Sequence, residues 1–237
     1  MLKTNEAEFK PVQQRHDKVL IIGGGESLID FDWDLLKKFK GVIITVNNVV
    51  YHIPRADYWI TVDPMSHGKP QRAMVDRVDG VYYFCAYPDI KKFPFDAKFY
   101  KTVNGIHYLE RIFPEDYSGK LNIPKVGDYS LQEDKDKITT GNSCYGALGL
   151  AYHFEAKKIA MIGVDGYGYG HWYNKLDPYS SGWKDKEGDY LARIPPIYAS
   201  SVKQFKKRKT EVVLGSPDSP IDCFDKMSPE EAIKWLK

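Results

Sequence analysis

The sequence predicts an α/β fold, with a Rossmann-like, mostly parallel sheet, helices on both faces and one loop-rich insertion. Residues 19–22 and 42–46 are apolar and β-branched runs of the kind found in strands that are buried on both faces. Between them, residues 30–39 carry apolar side chains at helical spacing, with acidic residues first and basic residues last. A strand, a helical crossover and a second strand are the usual opening of a parallel sheet.

The remaining elements continue this pattern. Further strands are predicted at residues 56–62, 80–84, 99–103, 157–163 and 210–214. Further helices are predicted at residues 71–77, 139–153, 196–209 and 228–236, the last with a Ser-Pro-Glu-Glu start that suits a capping box. Gly146 and Gly149 each cost the 139–153 helix about 1 kcal/mol relative to alanine. We therefore expect this helix to pack very closely on the sheet.

The domain organisation is simple. Residues 1–17 are predicted to be a polar arm, and residues 18–237 a single Rossmann-like domain. Residues 104–138 are rich in Pro, Asp, Lys and Tyr, with only a short helical pattern at 106–112, and are interpreted as a loop-rich insertion that could cover a cleft. Residues 174–195 form a polar, Tyr- and Gly-containing stretch typical of a lid.

Composition narrows the class of protein. With 43% hydrophobic residues and 17 tyrosines among 237 residues, the chain can build a large core and an aromatic cleft. The 34 basic and 32 acidic residues give a net charge of +2, which argues against a general nucleic-acid binder. Cys85, Cys144 and Cys223 are too scattered for a disulfide framework or a zinc site. No apolar run reaches the length of a membrane span, and we expect a cytoplasmic protein.

The first candidate site is the glycine run Gly23, Gly24 and Gly25, with Ser27 just after it, at the end of the first strand. Glycines allow a close approach of the backbone to a ligand, and a helix that followed directly would direct its free N–H groups at a phosphate. The alternative is a tight turn between a strand and a helix that binds nothing. The run matches neither the dinucleotide fingerprint nor the P-loop.

A second glycine-containing helix start lies at Thr140, Gly141, Asn142 and Ser143. Its hydroxyl and amide side chains are good N-caps, and its backbone N–H groups could bind the phosphates of a nucleotide. The two helix starts together are a more specific signal for one nucleotide site than either is alone.

Polar residues also follow three other predicted strands: Asn47, Asp63 and Asp165. In open α/β sheets ligands bind beyond the carboxyl ends of the strands, where the two aspartates could hold a metal or a ribose, or act as a base. Ordinary turn chemistry is the competing explanation. After Asp165 comes a Gly-rich loop with Tyr167, Tyr169, His171, Trp172 and Tyr173, suited either to stacking on a base or sugar or to half-buried loop packing.

The order of these motifs resembles a known superfamily. The stretches 23–28, 47, 63–64, 140–143 and 163–166 are similar to those of the bacterial sialyltransferases and of the hydroxymethylpterin pyrophosphokinase-like (DUF115) proteins, which also occur in bacteriophages. The resemblance covers residues 18–65 and 139–215. It implies a CMP-sugar donor, an acceptor hydroxyl and a bacterial or phage-infected cell. The donor-binding roles that it implies fall on Gly24, Gly25, Ser27, Asn47, Thr140, Gly141, Asn142 and Ser143, with Tyr167 or Tyr173 as phosphate contacts.

The chain departs from the family pattern at two places. Glu26 stands where the family has Pro, and Arg193 and its neighbours stand where the sialyltransferases carry their catalytic His. The nearest substitute base is His171, with Asp165 as the other candidate. We therefore expect a nucleotide-dependent transferase of the glycosyltransferase type.

Two alternatives stay open. One is an ATP-dependent pyrophosphokinase that uses Mg²⁺, with Asp63 and Asp165 as metal ligands. The other is a nucleotide-binding or morphogenetic protein that has lost catalysis, which the absence of the family His favours. Neither the acceptor nor the oligomeric state can be inferred from the sequence.

Overall fold

The structure, a computed structural model, describes residues 14–63, 65–66, 69–87, 105–112, 123–166, 171–173 and 189–237. Three predicted features lie wholly or largely outside these residues: the arm up to residue 13, the strand at 99–103 and the lid over 174–188.

The described residues form one nine-stranded sheet and one small hairpin. The strand order of the large sheet is β11-β10-β9-β1-β2-β3-β6-β7-β8, and every neighbouring pair is parallel. The antiparallel pair β4-β5 forms the hairpin. The strands are β1 (Lys18–Ile22), β2 (Val42–Val46), β3 (Tyr58–Thr61), β4 (Met65–Ser66), β5 (Lys69–Pro70), β6 (Tyr82–Tyr87), β7 (Ile106–Ile112), β8 (Lys137–Thr139), β9 (Lys158–Ile162), β10 (Glu211–Gly215) and β11 (Asp225–Lys226).

Helices connect and cover the strands. They are α1 (Arg72–Val75), α2 (Ser143–His153), α3 (Asp189–Ala199), α4 (Val202–Arg208) and α5 (Pro229–Leu236), with 3-10 turns at Glu26–Leu28, Trp33–Lys38 and Asn47–Tyr51. The predicted capping box is confirmed, since the Ser228 hydroxyl accepts from the Glu231 N–H while the Glu231 carboxylate accepts from the Ser228 N–H. The predicted Rossmann-like α/β class is confirmed by the parallel sheet.

The helical pattern predicted at 106–112 is wrong, because this segment is the strand β7. Ile106 and Leu109 are three residues apart and both buried, which in a sequence suggests one helical face. In a strand an odd spacing places two side chains on opposite faces. Leu109 packs in the main core cluster and Ile106 in a second cluster with Trp59 and Tyr83, so both faces of β7 are covered.

The helix predicted at 30–39 is shorter and tighter than expected, a 3-10 turn over Trp33–Lys38. Its apolar side chains Trp33, Leu36 and Phe39 recur every three residues, which is the repeat of a 3-10 helix. The Asp32 carboxylate accepts from the Asp34 N–H at 3.0 Å and begins the turn.

The helix predicted at 196–209 is two helices, α3 and α4, and α3 begins seven residues earlier. Residues 189–195 of the predicted lid are therefore helical. The break lies at Ser200 and Ser201, whose hydroxyls donate to the carbonyls of Pro196 and Tyr198 at 2.8 and 2.7 Å. Such bonds compete with the helical backbone bonds and favour a break.

The expected close packing of the glycine-rich helix is confirmed. Helix α2 packs on β1, β2 and β3, and a Cβ at Gly146 would lie 2.8 Å from Val62 Cγ1. A Cβ at Gly149 would lie 3.1 Å from Ile138 Cγ1. The absence of side chains at these positions lets the helix axis approach the sheet, and so brings the N-terminus of α2 to the carboxyl ends of the strands.

The strand order reverses at β1. From β1 the chain adds β2, β3, β6, β7 and β8 on one side, and then returns to add β9, β10 and β11 on the other. Open α/β sheets bind ligands beyond the carboxyl ends of their strands at such a reversal. The loops after β1 and β9 contain the glycine run and Asp165, so the topology places both at this point.

Candidate functional site

The glycine run is packed tightly against the loop that follows β9. The Gly23 N–H donates to the Ile162 carbonyl at 2.9 Å, and the Gly25 N–H donates to the Gly163 carbonyl at 2.8 Å. A Cβ at Gly23 would stand 2.3 Å from the Gly163 oxygen. The predicted helix after the glycines is only the three-residue turn Glu26–Leu28. The glycines are therefore required first of all by the contact between two loops.

Asp165 holds the glycine loop in place. Its carboxylate is 3% exposed and accepts from the Ser27 N–H at 2.9 Å, the Ser27 hydroxyl at 2.5 Å and the Ser216 hydroxyl at 2.8 Å. A Cβ at Gly25 would lie 2.4 Å from this carboxylate. The predicted site residues Ser27 and Asp165 therefore lie together, and the hydrogen bonds described here join them mainly to each other.

His171 lies against the glycine loop. A Cβ at Gly24 would stand 2.5 Å from His171 Nδ1, and the Trp172 N–H donates to the Gly24 carbonyl at 2.9 Å. Within the described residues, Nδ1 is buried without a hydrogen-bond partner. Burial lowers the pKa of His171 from its ordinary value, and the Gly24 backbone and the Glu26 carboxylate raise it in part. The neutral imidazole, the form a general base needs, is favoured near pH 7.

A stack of three rings supports His171. Tyr173 lies between His171 and His52, with ring centroids 5.0 and 4.9 Å away and planes within 13° of parallel. Trp172 packs on Trp33 with centroids 4.6 Å apart. Tyr173 is only 2% exposed. Residues 171–173 therefore show the half-buried loop packing that the sequence offered as the alternative to stacking on a base or sugar. Tyr167 and Tyr169 lie outside the described residues.

Asn47, at the end of β2, links this strand to β3, to the start of α2 and to Gln71 before α1. Its Oδ1 accepts from the hydroxyls of Thr61 and Ser143 at 3.0 and 3.2 Å and from Gln71 Nε2 at 3.4 Å. Its carbonyl accepts from Trp59 Nε1 at 2.7 Å. Asn47 has a φ of 50°, a left-handed conformation that asparagine tolerates better than most residues.

The start of α2 is capped as predicted. Asn142 Oδ1 accepts from the Tyr145 N–H at 2.8 Å and from the Tyr198 hydroxyl at 3.2 Å. Thr140 is fully buried, and Gly141 is packed against Ile197. Because Asn142 caps the Tyr145 N–H, the N–H groups of Ser143 and Cys144 are the ones without an intrahelical acceptor. With the positive end of the helix dipole, these two N–H groups form a potential anion site.

Arg111 on β7 lies beside the candidate site and was not among the residues predicted from the sequence. Its Nε donates to Thr140 Oγ1 at 2.7 Å and its Nη1 to the Val62 carbonyl at 2.9 Å, and Nη1 lies 3.9 Å from the Asp63 carboxylate. Although 62% of the Asp63 side chain is exposed, desolvation raises the pKa of this carboxyl and the Arg111 charge lowers it in part. The guanidinium is 13% exposed and adds positive charge beside the start of α2.

Other contributors were also missed, and for the same reason. Four more residues contact predicted residues: Ser216, Thr61, Gln71 and His52. Their roles depend on those tertiary contacts, and a lone Ser, Thr, Gln or His in a sequence has no distinguishing pattern. Arg111 could have been noticed only as a charge in a run that was taken for a helix.

The described residues contain no group of three or more His, Cys, Asp and Glu side chains that could hold a metal ion. Asp63 lies beside a guanidinium and Asp165 is surrounded by hydrogen-bond donors, and neither environment favours a cation. Within the described ranges, no helix has both the length and the apolar character needed to cross a bilayer.

Comparisons with known proteins give limited similarity. No family model and no curated protein matches the chain. Among solved structures, the chain is similar to the sialyltransferase CstII from Campylobacter jejuni in complex with a substrate analogue, cytidine-5'-monophosphate. The TM-score is 0.49 and the identity 14%, over 91% of this chain and 86% of that chain. A point variant of Cst-II in complex with CMP gives a TM-score of 0.49 and 16% identity, over 91% and 87% of the two chains.

Proposed function

We propose that the protein is a nucleotide-dependent transferase of the glycosyltransferase type, which uses a CMP-type nucleotide-sugar donor and a hydroxyl-bearing acceptor. One observation carries the proposal: among the residues that the structure describes, predicted site residues form a continuous cluster where the strand order reverses. His171 contacts Gly24, a Cβ at Gly23 would lie 3.0 Å from Cys144 Sγ in the first turn of α2, and the neighbouring Ser143 bonds to Asn47.

In this proposal the donor phosphate binds at the N-terminus of α2. The N–H groups of Ser143 and Cys144, the helix dipole and the nearby Arg111 guanidinium all favour an anion there. The remaining nucleotide contacts come from the loops at the ends of β1, β2, β3 and β9. The proposed nucleotide-binding residues are Gly23, Gly24, Gly25, Ser27, Asn47, Asp63, Thr140, Gly141, Asn142, Ser143, Tyr167 and Tyr173. Because His52 and His171 stack on the Tyr173 ring, its proposed contact is a hydrogen bond from the hydroxyl to the phosphate and not ring stacking.

His171 is the proposed general base. The acceptor oxygen attacks the anomeric carbon, the bond from that carbon to the phosphate oxygen breaks, and CMP leaves with the electron pair. The acceptor's proton passes to His171 Nε2, since Nδ1 is buried against Gly24. Asp165, the other candidate base, already accepts three hydrogen bonds, and we assign it the positioning of the glycine loop.

The pyrophosphokinase and the inactive nucleotide-binding protein stay alternatives, as do membership of the DUF115 group and a phage origin. Magnesium-dependent binding of ATP with release of AMP would favour the pyrophosphokinase. Binding of a nucleotide without turnover for any acceptor would favour the inactive protein.

A thermal-shift panel tests nucleotide binding. CMP or a CMP-sugar at about 100 times its Kd should add about 2.7 kcal/mol to the free energy of unfolding, whereas UMP and GMP serve as matched ligands of equal charge. A panel in which no nucleotide or nucleotide-sugar raises the Tm would overturn the proposal.

A second experiment tests the base. His171→Ala should lower the rate of sugar transfer about 10²–10⁴-fold, the usual contribution of a general base, while CMP still binds. His107→Ala is the control, because His107 is also half-buried but lies on β7. It should leave the rate within about twofold. Equal rates for His171→Ala and the wild type would remove His171 from the mechanism.

A further inference from the structure

Two hydroxyl groups beside Asn47 have their hydrogen-bonding roles fixed by the backbone. The Asp63 N–H donates to Thr61 Oγ1 at 3.1 Å, and the Val62 N–H donates to Ser143 Oγ at 3.5 Å. A backbone N–H can only donate, so both hydroxyl oxygens act as acceptors in these bonds. Each hydroxyl is nearly or fully buried, and its own proton must therefore find an acceptor within the protein.

That acceptor is Asn47 Oδ1. It lies 3.0 Å from Thr61 Oγ1 and 3.2 Å from Ser143 Oγ, and Gln71 Nε2 lies 3.4 Å away. Gln71 Nε2 also donates to the Asp63 carbonyl, which fixes the orientation of that amide, since a flipped Gln71 would oppose two oxygens. The network thus assigns the oxygen and the nitrogen of Asn47, two atoms that the shape of an amide alone does not distinguish.

The backbone of Asn47 is held as firmly as its side chain. Its left-handed φ of 50° is uncommon outside glycine, and its carbonyl accepts from the buried indole of Trp59. Residues in such conformations persist where the surrounding structure over-determines them, and they cluster at ligand sites. Asn47 Nδ2 makes no hydrogen bond within the described residues, and the residue is only half-buried.

We propose that Thr61 and Gln71 are positioning residues that turn Asn47 into a fixed hydrogen-bond donor. Because three donors hold Oδ1, the Asn47 amide cannot flip, and it presents the N–H groups of Nδ2 to a ligand. The ligand group that Nδ2 binds must therefore be an acceptor. Ser143, which is bonded to Asn47, is the first residue of α2, so this acceptor is an oxygen of the phosphate bound at the helix N-terminus. This inference rests on the proposed function and adds the residues that set the polarity of the site.

The test is a set of affinities for CMP and cytidine, which differ only in the phosphate. Asn47→Asp keeps the oxygen and tolerates the left-handed backbone but loses the N–H donors, and it should weaken CMP at least tenfold and cytidine less than twofold. Asn48→Asp, the same change at the next residue, is the control for charge.

The second pair of variants is at Thr61. Thr61→Val should lower the affinity for CMP about tenfold, and Thr61→Ser, which keeps the hydroxyl, should have the wild-type affinity. Unchanged CMP affinity in Thr61→Val, or equal losses for CMP and cytidine, would overturn the inference.

A measurement without ligand separates this inference from the proposed function. Thr61→Val and Asn47→Gly should lower the Tm together by less than the sum of their separate effects, because both remove the same hydrogen bond. Additive effects would overturn the positioning role whatever the protein binds. Non-additive effects in a protein that binds no nucleotide would support the positioning of Asn47 and overturn the proposed function instead.

Discussion

Replacing Asp165 by Asn tests whether the glycine loop is held by a buried charge. The carboxylate is 3% exposed, and three donors point at it: the N–H and the hydroxyl of Ser27 and the hydroxyl of Ser216. An Asn side chain has the same shape, but it carries one acceptor oxygen in place of two. With its oxygen kept toward the two hydroxyls, its NH₂ group would face the Ser27 N–H at about the present 2.9 Å.

The size of the effect follows from these contacts. One hydrogen bond to a charged group, worth about 1.5–3 kcal/mol, is lost, and the half-buried N–H of Ser27 is left without this acceptor. The bonds that remain become neutral and weaker. An opposing gain arises because the Asn side chain would carry no charge, which removes the cost of burying the Asp165 carboxylate. The described contacts of that carboxylate include no cation. We expect the lost bonds to prevail and Asp165→Asn to lower the free energy of unfolding by about 2–4 kcal/mol.

Urea unfolding followed by tryptophan fluorescence measures this change. Ser219→Ala is the matched control, because Ser219 is as buried as Asp165 and lies three residues after Ser216, but its bonds are long and neutral. Its hydroxyl donates to the Val164 carbonyl at 3.4 Å and accepts from the Ile221 N–H at 3.3 Å. The control should lose about 1 kcal/mol or less. An Asp165→Asn variant as stable as the wild type, or more stable, would show that the buried charge is a net cost and would refute the reasoning.

Three further predictions concern single contacts. Gly24→Ala places a Cβ 2.5 Å from His171 Nδ1, so the ring must move by about 1 Å, and we expect the transfer rate to fall about 100-fold with a smaller loss of stability; a wild-type rate would contradict this. Burial lowers the pKa of His153, so the unfolded chain binds a proton that the folded chain does not, and the free energy of unfolding should fall as the pH drops below about 6.5. Unfolding at pH 5 and 7.5 should show a smaller fall in His153→Gln, and an equal fall would exclude this residue. Ser228→Ala should lower the free energy of unfolding by about 1 kcal/mol in urea, and no change would mean that the capping box is not stabilising.

The sequence predicted well those helices and strands whose formation depends on residues close in the chain. Residues 42–46 form β2 within the predicted bounds, because a short apolar run has few alternatives to a buried strand. The capped helices α2 and α5 begin where Asn142 and Ser228 stand, since a cap acts on N–H groups two or three residues away. The wrong predictions arose where one local apolar pattern fits two kinds of secondary structure. At 106–112 the same apolar spacing fits a helix face and a strand with two buried faces.

The sequence indicated part of the candidate site. Asn47 and Asp165 were selected because they follow strands, at the edge where α/β sheets bind ligands, and His171 as the nearest substitute for the catalytic His of the family that the chain resembles. All three lie around one reversal of strand order. The sequence could not select Arg111 or Thr61, whose importance depends on the residues they touch.

The local sequence patterns are enough to predict a parallel α/β sheet with polar strand ends and a glycine run after its first strand. The role of those glycines follows only from the three-dimensional packing. Gly23, Gly24 and Gly25 are crowded by Gly163, His171 and Asp165, and Ser27 bonds to a carboxylate 138 residues away. Contacts at such separations depend on how the strands pair, which no local pattern records. The glycine run, typical of a phosphate loop, is first a surface for another loop, and the proposed nucleotide site is formed where the two meet.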